Sequence, residues 1–183
     1  LSQDATAKRP LVCLYSLFSF DRNRVKISLE IVNMTAPRSH HIVEQTITIK
    51  NEDTVLGGFL GISSTATGIV LFAHGSGSGR FSPRNRFVAQ HLQQGGIATL
   101  LIDLLTTEEA GDRRNVFNID LLADRVLMAS AWLREDSRTR QSPLGYFGAS
   151  TGAAAALQAA ARGFFLVGAI VSRGGRPDLA EAY

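Results

Sequence analysis

The stretch Gly148-Ala149-Ser150-Thr151-Gly152 constrains this chain more than any other. An apolar run, Leu144-Gly145-Tyr146-Phe147, precedes it, and an alanine-rich segment, Ala153 to Ala161, follows. That succession reads as a strand, a sharp turn and a helix. Glycines on both sides of the serine suit a tight turn, where a side chain would collide with the neighbouring strand and helix. Such a turn lifts the Ser150 hydroxyl above the sheet edge, and the following helix aims its N-terminus at the same place. Ser150 is therefore a candidate nucleophile. A serine hydroxyl is a poor nucleophile at neutral pH and needs an adjacent base. The chain has four histidines, His40, His41, His74 and His91, and all precede Ser150.

The rest of the chain alternates strands with helices. Ile42 to Lys50 alternates apolar and polar residues, as a strand with one solvated face does. Asn51-Glu52-Asp53 signals a turn, and Val55 to Ile62 a second strand. Gly68 to Ala73 is a continuous apolar run, expected of a buried central strand. The spacing predicts a helix over Pro83 to Gln94, with Pro83 in its first turn, Phe87, Val88 and Leu92 on its apolar side, and Gly95-Gly96 ending it. Ile97 to Ile102 reads as another buried strand, closed by Asp103, and residues 106–114 as a loop. Asn118 is placed to cap a helix reaching about Arg134, with Ile119, Leu122, Val126, Ala129 and Leu133 at helical spacing. Leu166 to Val171 is the last strand. This order predicts an α/β protein, a three-layer α/β/α sandwich around a mostly parallel sheet. Residues 1–33 carry no motif and no clean periodicity. They read as a poorly ordered N-terminal extension, with the domain over 34–183.

A length of 183 residues fits one domain, and 45% apolar residues suffice for a packed core. The formal charge of +3 is small and its basic residues are scattered, so no nucleic-acid partner is expected. Cys13 is the single cysteine and cannot close an internal disulfide, which fits a reducing, cytoplasmic setting. No apolar run approaches the roughly 20 residues that span a bilayer, so no membrane partner is expected. Leu11 to Phe20, behind Lys8 and Arg9, is short, and no small-x-small cleavage site follows it.

A second glycine-rich element, His74-Gly75-Ser76-Gly77-Ser78-Gly79, lies between a buried strand and a helix. Backbone N–H groups in such a loop can point into a site. The N–H of Ser76, with Gly77 as the alternative, and the N–H of Thr151 are candidate donors to a substrate oxyanion. His74 reads as a brace for this loop rather than a base. No metal-ligand spacing occurs among the histidines, so no metal is expected. The same loop also supports a dinucleotide-binding reading, with Asp103 at the end of the next strand. The spacing misses, because Arg80 stands where the third glycine belongs. Arg84, Arg86, Arg113, Arg114 and Arg173 fall largely in loops after strands. Solvated surface charge accounts for most of them; Arg84 and Arg173 are the candidates for binding an anionic substrate, and Arg173 directly follows a strand end.

The segments at 72–86, 98–106, 114–125, 145–157 and 171–180 together resemble the dienelactone-hydrolase-like branch of the α/β-hydrolase superfamily. They look like its hydrolase-like domains found alone or fused to phosphoribosyltransferase domains. The resemblance implies an α/β-hydrolase fold, hydrolysis of an ester, lactone or related acyl bond in a small molecule, and no metal or organic cofactor. It also implies departures. Dienelactone hydrolases proper use a cysteine where Ser150 stands. Relatives carry the triad acid and histidine on further strands after the nucleophile. Here Asp178 is the one aspartate after Ser150, and it reads as a turn or helix-start residue. The expectation is an α/β-hydrolase fold without its last strands and helices, impaired as a serine hydrolase. A sheet edge left raw would invite self-association. The alternative is a non-catalytic pseudo-hydrolase that binds a partner through that edge.

Overall fold

The computed structural model describes residues 15–21, 24–30 and 41–180. In chain order the strands and helices are β1 (Tyr15–Asp21), β2 (Arg24–Glu30), β3 (Ile42–Asn51), β4 (Thr54–Ser63), β5 (Ile69–Ala73), α1 (Pro83–Gln94) and β6 (Ala98–Ile102). Two short helical turns, α2 (Thr107–Ala110) and α3 (Arg113–Val116), lead into α4 (Ile119–Glu135). Then come β7 (Leu144–Ala149), α5 (Thr151–Ala161), β8 (Val167–Arg173) and a 3-10 turn at Pro177–Ala180. All the strands join one sheet in the order β2-β1-β8-β7-β5-β6-β4-β3. The four central strands, β8, β7, β5 and β6, run parallel. Antiparallel hairpins flank them on both sides.

The pattern of burial explains this division. Every residue of β6 is buried, as is all of β5 but Val70, because parallel strands are covered on both faces. In β3 only Ile49 is fully buried, which suits an outer strand with a wet face. On one face of the sheet α1 packs through Ala89, Val88 and Leu92 against Phe72, Leu101 and Phe147. On the other face α4 and α5 bury the larger core, and Ile119, Leu122, Val126, Ala129 and Leu133 all point inward as their spacing predicts. Ala153 to Ala156 are fully buried, and their small size lets α5 lie close to the sheet. The Tyr146 hydroxyl, deep in this core, bonds to Ser130 Oγ at 2.8 Å, so the burial leaves no polar group stranded there.

Several expectations change. Phe87 points outward, 48% exposed, and stacks on His91 with ring centres 4.2 Å apart. The inner face of α1 instead carries Asn85, Ala89 and Gln93, one helical repeat of four apart. The segment 106–114 is not a plain loop. Thr106 and Glu109 form a reciprocal capping box that starts α2, and Asp112 caps α3. Within 1–33, read as a poorly ordered extension, β1 and β2 form a hairpin; the other residues of that segment lie outside the described ones. β1 pairs with β8 through Ser16, Leu17 and Phe18. The β8 edge is therefore not raw where it was expected to be, because an antiparallel neighbour takes up its backbone groups. Among the described residues no helix is long and apolar enough to cross a membrane.

The topology fixes where a site belongs. From β5 the chain passes through α1 to β6, on one side; from β7 it passes through α5 to β8, on the other. β5 and β7 are adjacent, so their connections diverge between them. In open α/β sheets ligands bind in the crevice that opens at such a reversal, beyond the carboxyl ends of the strands. The loop after β5 and the turn after β7 are the two glycine-rich elements of the sequence.

Candidate active site

Ser150 sits at the junction of β7 and α5 with φ 52° and ψ −123°. A positive φ on a residue with a side chain is uncommon and marks strain. The junction is held from below. Ser150 N–H donates to Arg173 O at 3.4 Å, and Ser150 O accepts from Ala153 N–H at 3.0 Å. The flanking glycines explain themselves by contact. A Cβ on Gly148 would lie 2.4 Å from Ala153 Cα, and one on Gly152 would lie 2.2 Å from Ala73 O. The start of α5 thus presses against the end of β5. The Ser150 side chain is half-buried, and among the described residues nothing hydrogen-bonds to its hydroxyl.

The loop after β5 meets this turn. Gly75 approaches it so closely that a Cβ there would be 2.9 Å from both Ala149 O and Ser150 Cβ. Ser78 N–H closes a turn onto Gly75 O at 3.2 Å, with Gly77 at φ 66°. Among the described residues the backbone N–H groups of Ser76, Gly77 and Thr151 donate to no protein atom. Ser76 and Gly77 are exposed; Thr151 is buried, and its hydroxyl also lacks a protein partner.

His74 braces the loop, as its position suggests. Its Nε2 accepts the Leu104 N–H at 2.9 Å, which leaves Nδ1 to carry the proton that goes to Gly75 O, also at 2.9 Å. Burial pushes its pKa below 6.5, against smaller upward effects from the Gly75 backbone and Asp103. Both ring nitrogens are engaged, so His74 is not free to act on Ser150. Asp103 fastens the far end of the loop. Its Oδ1 accepts the Arg80 N–H at 2.7 Å and its other oxygen pairs with the Arg80 guanidinium. That guanidinium also stacks 4.6 Å from the centre of the Phe81 ring. The carboxylate that a dinucleotide reading assigns to a ribose hydroxyl is thus already committed. A cleft of about 330 Å³ lies at this end of the sheet, against Gly57, Arg80, Asp103, Thr106 and Glu108. A larger concavity of about 430 Å³ lies before the starts of β5 and β7, between Thr67 and Ser142, at the other end of the strands from Ser150.

The other named residues divide. Arg173 ends β8, its backbone carbonyl on Ser150 N–H and its Nη2 donating to Asn85 Oδ1 at 3.1 Å. Arg84 is exposed in the first turn of α1, and no hydrogen bond among the described residues ties it to the Ser150 turn. Asp178 lies in the 3-10 turn, where Arg176 grips it with bonds of 2.7 to 3.0 Å, as a turn residue would be. Asn85 was not singled out from sequence. The one available signal was a polar residue four positions before Ala89, on the stripe that faces the sheet.

Comparison with known proteins bears on the same elements. No family model matches the chain. A dienelactone hydrolase from Anabaena variabilis is similar in structure with a TM-score of 0.74 and 54% identity, over 78% of this chain and 68% of that one. A putative phosphoribosyl transferase of Mycobacterium tuberculosis, from two strains, is 57% identical over 125 residues, which is 68% of this chain. The chain spans only 28% of the length of those curated relatives. An esterase from Pyrococcus furiosus shares the fold alone, with a TM-score of 0.53 at 22% identity, over 64% of this chain and 44% of that one. With a shared fold and 54% identity across two thirds of a relative's length, the chain belongs to the dienelactone-hydrolase-like branch of the α/β-hydrolase superfamily.

Proposed function

We propose that this chain is the serine-nucleophile core of a hydrolase that cleaves an ester, lactone or related acyl bond of a small molecule. The observation that carries the reading is the Ser150 turn: a strained φ of 52° at a strand-to-helix junction, with the hydroxyl unpartnered among the described residues and Gly75 packed against it. Strain of this kind costs on the order of 1–3 kcal/mol and persists where the surroundings impose it. In the proposed reaction Ser150 Oγ gives its proton to a base and attacks the acyl carbon. The carbonyl oxygen becomes an oxyanion, received by the N–H groups of Thr151 and Ser76, with Gly77 as the alternative to Ser76. The alcohol leaves with a proton, and water then releases the acyl group from Ser150. Arg173, and less directly Arg84, supply positive charge for an anionic group on the substrate. The lone Cys13 favours a cytoplasmic setting for this chemistry.

The same reading implies slow turnover by the 183 residues alone. Of the histidines among the described residues, His74 is engaged at both nitrogens, His91 bonds to Phe87 O at 2.8 Å on α1, and His41 is exposed beside β3. None of these is bonded to Ser150. The test is labelling with a fluorophosphonate probe together with hydrolysis of p-nitrophenyl acetate. Slow release of p-nitrophenol is expected, with label on Ser150, and both should vanish in Ser150→Ala. Label on another residue, or an unchanged rate in Ser150→Ala, overturns the nucleophile reading.

A further inference from the structure

The sheet has a free edge at β3, with β5, β6 and β4 standing between it and the strand that leads to Ser150. Among the described residues no strand lies beyond β3. It runs in unbroken register with β4 from Ile42 to Asn51, with no bulge and no proline. Edges are usually blunted by such devices, because their spare N–H and C=O groups template pairing with another chain.

The turn after β3 decides which backbone groups are spare. Asn51 and Thr54 flank a two-residue turn, and in such a hairpin the flanking pair exchanges both backbone bonds. Bonding alternates from there, so Ile49, Ile47, Gln45 and Val43 spend their groups on β4. Lys50, Thr48, Thr46 and Glu44 turn theirs outward. Gly57, opposite Thr48, agrees with this phase: its carbonyl accepts the Asp103 N–H from the other side at 3.0 Å. The side chains of the outward residues share the α1 face, where Glu44 reaches Arg86, whereas Ile47 and Ile49 pack toward the core under α4 and α5. Glu44, Thr46, Thr48 and Lys50 are all exposed, and Lys50 pairs with no carboxylate among the described residues.

A second β3 running antiparallel must set outward residue against outward residue. In one such register Ile47 lies on a two-fold axis. Glu44 then faces Lys50 of the second copy and Thr46 faces its Thr48, and the axis repeats both pairs. Opposite charges and paired threonines are favourable cross-strand neighbours. Centring on Thr46 would instead put Lys50 opposite Ile42, and centring on Thr48 would put Glu44 opposite Glu52. We propose that β3 pairs with β3 of a second copy about Ile47, joining two sheets into one, with the Glu44–Lys50 pairs setting the register. This surface does not depend on the role of Ser150.

The test is sedimentation velocity on the 183-residue chain over a concentration series. The expected result is a reversible dimer of twice 19.7 kDa. Lys50→Glu sets like charges opposite each other at both ends and should weaken the dimer roughly tenfold or more, since the axis counts each pair twice. Adding Glu44→Lys to that variant makes the charges opposite again and should restore the dimer. Thr46→Pro removes an outward N–H that β4 does not use, so it should give a monomer with the native circular dichroism spectrum. A native chain that stays monomeric at every concentration overturns the proposal. So does a dimer indifferent to both Lys50→Glu and Thr46→Pro, which would use another surface. A dimer lost in Lys50→Glu and not regained in the double variant overturns the register, and the proposal with it.

Discussion

His74 shows how a residue that looks catalytic is spent on architecture. It accepts one backbone N–H from beyond β6 and donates to the carbonyl of the glycine that packs on Ser150. The neutral ring suits both bonds; a second proton would abolish the acceptor. Burial lowers its pKa below 6.5 in the native state, whereas the unfolded chain takes up the proton near 6.5. In the window below 6.5 the unfolded state binds more protons, so stability falls as the pH falls, until the native ring also titrates. Stability from this group is fully present above that window. The urea midpoint should therefore drop between pH 7.5 and pH 5.5, and His74→Gln should show a smaller drop over the same interval. Equal drops in the two proteins would mean that His74 is not held neutral. The role of His74 was legible because the residue stands at a strand end before a glycine loop. The Asn85–Arg173 contact was not, because 88 residues separate its partners and only the folded sheet brings them together.

At the scale of elements, legibility followed local chemistry. The bounds of α1 came directly from Pro83 and the Gly95-Gly96 stop, and α4 from Asn118, whose side chain accepts the Leu121 N–H at 3.1 Å. Asn118→Ala removes that acceptor from the start of the helix that, with α5, buries the larger core on one sheet face. The expected cost is about 1 kcal/mol, read as a lower urea midpoint with an unchanged slope. A midpoint that does not move would show that tertiary contacts, not the cap, fix the start of α4. Two stretches were less legible. Thr106-Thr107-Glu108-Glu109 has the spacing of a capping box, yet a helix of four residues leaves no periodicity to notice. In α1 hydrophobicity groups Phe87 with Val88 and Leu92, but helical phase separates them and leaves Phe87 48% exposed. The helix instead buries Asn85 and Gln93, and Gln93 is satisfied by Thr99 Oγ1 at 2.6 Å.

At the scale of the whole molecule, alternation of buried strands with helices was enough to give the parallel centre of the sheet, and the two glycine-rich turns fell at the reversal between β5 and β7. Arg24 to Glu30 does alternate, with Val25, Ile27 and Leu29 apolar, so β2 was legible as a strand. The pairing of its hairpin with β8 through β1 was not, because it joins segments far apart in the sequence. The arrangement sets Ser150 and the backbone N–H groups of Ser76, Gly77 and Thr151 at one end of the sheet, and among the described residues no side chain is bonded to Ser150 to take up the proton that the proposed reaction releases. A positioned base contributes roughly 10²–10⁴ to such reactions. A freely diffusing base recovers part of that factor where the nucleophile and oxyanion donors are already in place. Imidazole should therefore widen the difference in p-nitrophenyl acetate hydrolysis between the native chain and Ser150→Ala, with the variant reporting the solution reaction of imidazole itself. The gain should saturate with imidazole concentration, as binding in a crevice does. A large difference without imidazole, unmoved by adding it, would show that the chain supplies its own base to Ser150. No difference at any concentration would show that the turn and the glycine loop do not form a working nucleophile site.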